Sequence, residues 1–107
     1  MIYAKIYYIL IITKFMNIDH SLKPHVKQEL LTRSVDGELL VLDNKEAEIH
    51  QLNLSASFIF NKCDGTLSVD GIAQSLTDEF DISLDKALQD VLNAVRSFAD
   101  KGFLLED

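Results

Sequence analysis

Residues 38–65 read ELLVLDNKEAEIHQLNLSASFIFNKCDG, and the period of the chain changes inside them. Glu38-Leu-Leu-Val-Leu-Asp43 is an apolar run of strand length, which predicts a central strand covered on at least one face. Asp43-Asn44-Lys45 supplies a turn. Residues 46–52 then alternate, with Glu46, Glu48 and His50 on one face and Ala47 and Ile49 on the other, the two-residue period of a strand. At Asn53 the period lengthens. Asn53 is a good helix N-cap, and Leu54, Phe58 and Ile59 recur at helical spacing up to Cys63. Asp64-Gly65 stops that helix, Gly65 being suited to the left-handed position past its end.

Upstream, residues 26–34 are moderately strand-like, and Val35-Asp36-Gly37 supplies a hairpin turn. Pro24 cannot donate to a ladder and sits naturally at the entrance of this first strand. Downstream, Ser68 caps a second helix with Ile72, Ala73, Leu76 and Phe80 along one stripe. Ser83 caps a third and longest helix, running to about Lys101. There Leu84, Leu88, Val91, Val95 and Phe98 line one face, with Ala87 and Ala94 as a small-residue flank. Gly102 ends it, and Phe103-Leu104-Leu105 is an apolar tail expected to pack back on the core. The string β-β-β-α-α-α is an α+β domain: a three-stranded antiparallel meander followed by three helices.

The chain has 107 residues, enough for one small domain with one core. Seventeen acids against ten bases give a net charge of −7. Residues 1–15 hold Lys5 and Lys14 and no acid, so residues 16–107 carry −9. Such a domain makes a poor partner for nucleic acid, whose non-specific affinity rests on Lys and Arg displacing counterions. It also gains nothing from an anionic membrane surface. One cysteine, Cys63, rules out an internal disulfide and a Cys-cluster metal site, and fits a reducing, cytoplasmic compartment. It reads as a small buried apolar residue at a helix end. Residues 1–15 form an apolar N-terminal extension whose unbroken run, Ile6 to Ile12, is too short to span a membrane. Three readings fit it: a start assigned too early, with Met16 the true first residue; an extra edge strand; or a degenerate export signal. The first is preferred, because the punctuated domain pattern begins just after Met16.

Assembled chemistry is not legible. His20, His25 and His50 are far apart and fall in no metal-ligand spacing. No Gly-rich loop joins a strand to a helix to cradle phosphates. Ser55, Ser57, Ser68 and Ser83 sit where helices begin, which capping explains without a nucleophile. The carboxylates scatter over faces expected to be exposed. The expectation is a binding protein rather than an enzyme, with no cofactor. The third strand is expected to be an edge, and an edge can accept a guest segment as a further strand, or its charged Glu46 and Glu48 can merely protect it from aggregation; the residues alone favour neither.

Several short pieces share an order and spacing with a known family. They are Leu52-Asn53-Leu54-Ser55-Ala56 before an apolar helix, residues 63–73 (CDGTLSVDGIA), Asp90-Val91, and a closing Lys101-Gly102-Phe103-Leu104-Leu105. Pro24-His25-Val26 and the hairpin from Asp43 to Leu52 also stand where that family has them. Together they resemble the PqqD family, the prototype of the RiPP recognition element, from about Leu22 to Leu105. The resemblance implies a winged-helix-like scaffold with no catalytic activity. It implies binding of the leader segment of a ribosomally made precursor peptide, presented to a modifying enzyme, often a radical S-adenosylmethionine maturase. In the family the leader lies between the third strand and the third helix and extends the sheet.

Carried over, residues 16–107 become a PqqD-like peptide-binding domain, and the strand contributes Glu46, Ala47, Glu48, Ile49, His50, Gln51 and Leu52. The helix contributes Ala87 and Ala94, small enough to admit guest side chains, with Val91 and Phe98 for apolar contact. Arg96 and Lys101 are placed to pair with acidic residues of a leader. Plain core packing is the competing account of this stripe. It is preferred for Leu84, Leu88 and Val95, and left open for Ala87, Val91 and Ala94. The family's quinone-pathway members carry a Pro-Glu-Gly turn before the third strand, where this chain has Asp43-Asn44-Lys45. The broad family is therefore expected, serving pyrroloquinoline quinone or another modified peptide. The alternative is a winged-helix regulatory or protein–protein interaction domain. Against DNA stands the stretch from Asp64 to Asp90, with seven acids and only Lys86 as a base.

Overall fold

Turn chemistry sets the sheet. Asp36 and Gly37 both have positive φ, 53° and 84°, as a two-residue hairpin matched to the twist of its strands requires. They join β1 (Leu31–Val35) to β2 (Glu38–Asp43), and β3 (Glu48–Leu52) follows. The computed structural model describes residues 18–43 and 47–105. The second turn at Asn44 and Lys45, together with Glu46, therefore lies outside the described residues. Both pairings are antiparallel and the order is β1-β2-β3, so among the described residues β2 is the central strand and β3 an edge. The sheet buries one face only: Leu39, Val41 and Leu52 are in the core.

The first strand is shorter than its sequence suggests. Val26 and Lys27 spend their amides elsewhere, on the carbonyls of Cys63 and Phe103, both at 2.8 Å. His25 bridges Asp64 and Val26 bridges Leu104. The segment before β1 thus ties the end of the first helix to the C-terminal tail, and the ladder starts only at Leu31.

Three helices follow: α1 (Leu54–Lys62), α2 (Val69–Phe80) and α3 (Leu84–Asp100). Asn53, Ser68 and Ser83 cap them, each side chain accepting the amide three residues on. The N-terminal arm completes the start of α2, where Val69 and Asp70 donate to the carbonyls of Leu22 and His20. Three of the amides that a helix start leaves unpaired are thereby satisfied. α1 lies between the sheet and the α2–α3 pair and touches all of them. Ser57 fastens it. Its buried hydroxyl accepts the amide of Leu39 at 2.8 Å and donates to the carbonyl of Leu52 at 3.1 Å. Ser57 is therefore a strut between helix and sheet and not a cap, while Ser55 donates to the capping Asn53 at 3.1 Å.

The core gathers Ile59, Phe60, Cys63, Ile72, Leu76, Val91, Val95, Phe98 and Phe103 around this junction. Phe60, Phe98 and Phe103 meet as a ring cluster with centroids 5.5 to 6.2 Å apart. The tail packs back as expected, Phe103 being fully buried. On α3 the buried residues are Ala87, Val91, Ala94, Val95 and Phe98, whereas Leu84 is exposed and Leu88 only half-buried. The inward face is thus centred nearer the alanines than the leucine stripe implied.

Candidate functional site

β3 has a partner on one side only. Among the described residues, no further strand pairs with it beyond β2. Its side chains split by parity. Leu52 is buried and His50 half-buried on the helix-facing side, with Glu48 at the exposed end; Ile49 and Gln51 face away. His50 meets the edge of Phe103 with ring centroids 5.2 Å apart. Its Nε2 lies 3.5 Å from a carboxylate oxygen of Glu48. Gln51 donates to Glu38 across the strands at 2.9 Å. Ala47 is exposed with φ of 53°, a left-handed residue leading into the strand.

Where β3 runs into α1, an open groove of about 250 Å³ lies between α1 and α3. Asn53, Ser55, Ala56 and Ile59 line one wall, and Asp90, Asn93 and Ala94 the other. Asp90 is paired with Lys86 at 2.6 Å one helical turn earlier. The oxygen of Asn53 already accepts from Ala56 and Ser55. The groove thus offers small side chains, neutral amides and one paired carboxylate. It can hold a side chain by shape and hydrogen bonding, and it assembles no nucleophile and base.

Of the residues expected on the helix wall, Ala94 alone lines this groove. Ala87, Val91 and Phe98 are between 0% and 1% exposed and have no surface to offer a guest. Their burial follows from the phase of α3, whose inward face centres on Val91. Arg96 stands two residues from Ala94, about 160° round the helix. Its Nε is buried without a hydrogen-bond partner, so this atom is not displayed at the groove. Lys101 caps the end of α3 and is half-buried. Asn53, Ser55, Ala56, Asp90 and Asn93 were not picked out as groove residues from sequence. A signal was available, since Asp90, Asn93 and Ala94 at i, i+3 and i+4 share one helix flank.

Among the described residues, no three His, Cys, Asp or Glu side chains gather as a metal site. Likewise no described helix is long and apolar enough to cross a membrane.

Residues 38–104 match the family described as coenzyme PQQ synthesis protein D, PqqD. The fold is similar to that of TbiB1 in complex with the TbiA(beta) leader peptide, at TM-score 0.67 and 16% identity. It is similar also to lasso peptide synthetase B1 complexed with the leader peptide, at TM-score 0.68 and 26% identity. Each likeness covers 78% of this chain and 99% of the other. No curated protein matches the sequence.

Proposed function

Since the chain belongs to the PqqD family, we propose that it is a leader-peptide-binding adaptor of ribosomal peptide modification, with no catalysis of its own. The observation that carries this is the edge of β3, unpaired among the described residues, which leads through Leu52 into Asn53 at the wall of the groove between α1 and α3. Two structures of this fold are of complexes with leader peptides. A leader segment adds to β3 as a fourth strand, its main chain supplying hydrogen bonds and its side chains meeting the groove at Asn53, Ala56 and Ala94. The adaptor then presents the precursor to a modifying enzyme, of the radical S-adenosylmethionine type or another. Its place of work is the cytoplasm, where a free cysteine stays reduced.

Amide-shift titration of the full chain by NMR tests this, adding the leader of a short precursor encoded beside the gene. Shifts should concentrate in residues 48–56 and 90–94. Saturating leader with no shift at β3 would remove the reading. Ile49→Pro takes a donor from β3 and bends it, so the same titration should then show no binding.

A further inference from the structure

The register of the sheet fixes what an added strand meets. Leu42 pairs with Leu31 on one side and with Ile49 on the other. Directly opposed residues share a face, so Leu31, Leu42 and Ile49 form one apolar row across all three strands. The row lies opposite the buried Leu39, Val41 and Leu52, on the face turned away from α1. Its ends are open. Leu31 is 56% exposed, and Ile49, at 68%, is the most exposed large apolar side chain among the described residues. The next row is different in character, with Arg33 and Gln51 flanking Leu40.

Leu42 stands on one flank of Ile49; among the described residues no strand lies on the other flank, where a strand added to β3 would cover it.

We propose that the segment captured by β3 carries a branched apolar or aromatic side chain opposite Ile49, continuing the row Leu31–Leu42–Ile49 into the guest on the face away from the helices. This rests on the strand-addition reading and narrows the guest that satisfies it. By strand parity, the guest residues on either side of this one turn to the helix face, toward His50 and the groove at Ala94. The recognised sequence is therefore two-sided: an outward apolar residue between inward contacts. A segment that is apolar only toward the helices would leave Ile49 in water and bind less well.

The test takes short peptides selected from a random library on the full chain, each mixed with protein whose isoleucine methyls are isotope-labelled. Nuclear Overhauser contacts from the Ile49 methyl should reach a branched or aromatic guest side chain. Replacing that guest residue by Ser should weaken binding about two- to fivefold. Ile49→Thr keeps the β-branch and should weaken the parent peptide to a similar degree. The two changes together should cost little more than either alone, as expected of residues in contact. Peptides that shift the β3 amides yet set a polar residue against Ile49 would overturn the proposal and leave strand addition standing. So would Ile49 contacts arising from a second copy of the chain. If no selected peptide shifts the β3 amides, the proposal and the adaptor reading fall together.

Discussion

Gly102 closes α3 with its amide on the carbonyl of Ala99, whereas Gly65 stands in the turn beyond the Cys63 cap of α1 with its amide on the carbonyl of Pro24. Both have positive φ, 84° and 73°. A Cβ at Gly65 would come within 2.9 Å of His25 Nδ1, whereas at Gly102 it would meet nothing within 4 Å. The left-handed conformation costs an L-residue roughly 1–2 kcal/mol. Gly102→Ala should lose about that much, and Gly65→Ala more, because the His25 ring must also move. With about 4–8 °C per kcal/mol for a small domain, thermal melts followed by circular dichroism should place Gly65→Ala clearly below Gly102→Ala. Equal melting points would refute the crowding at His25. Such ends and caps were legible in the sequence because their chemistry is local: Asn53, Ser68, Ser83 and Gly102 act within three residues of themselves. Ser57 was not, since its partner Leu39 is 18 residues back and reached only through the fold.

At the scale of elements, alternation and helical spacing located the three strands and three helices of the described residues, and what they missed was phase and length. On α3, large leucines drew the expected inward face toward Leu84 and Leu88. The core instead takes the face of Ala87, Val91 and Ala94, with Val95 and Phe98 beside it. β1 lost its first residues to backbone bonds with Cys63 and Phe103, partners no local pattern reveals. The shift of phase leaves Ala94, 9% exposed at the groove wall, as the helix residue to test. Ala94→Leu fills the groove from its α3 side and, since Ala94 also belongs to the buried face, should cost up to about 1–3 kcal/mol of stability. Leader affinity should fall about tenfold or more, roughly 1.4 kcal/mol, under conditions where the variant is fully folded. Val91→Ala is the contrast. Val91 is fully buried, so this change should lower stability by about 1–3 kcal/mol and affect binding only through the fraction unfolded. Calorimetric titration beside thermal melts separates the two. If Ala94→Leu binds normally, the groove is not part of the site.

Across the whole molecule, the N-terminal arm, the end of α1 and the C-terminal tail are laced together at Cys63. Val26 donates to the Cys63 carbonyl, Gly65 to Pro24, Lys27 to Phe103 and Leu105 to His25. Cys63 is fully buried at this knot, so its thiol reports on the entire fold. Burial, with a smaller push from Asp64, raises its pKa from 9.0 to about 12. Well below pH 9 the thiol is protonated folded or unfolded and adds no pH dependence. Above it the unfolded chain ionises while the folded one does not, so stability falls as pH rises toward 12. The slope from this group is about 1.4 kcal/mol per pH unit once the unfolded thiol is fully ionised. Other groups titrate there too, and the difference between the parent and Cys63→Ala isolates the contribution. Denaturant melts from pH 8 to 11 should give the parent the steeper decline, although Cys63→Ala begins less stable for the small cavity it opens. A thiol reagent should label the native protein on the order of 10³-fold more slowly than the unfolded one, since reaction then waits on global opening. Rapid labelling without unfolding would mean that the arm and tail open independently, and that the knot at Cys63 is a local closure and not the seal of the domain.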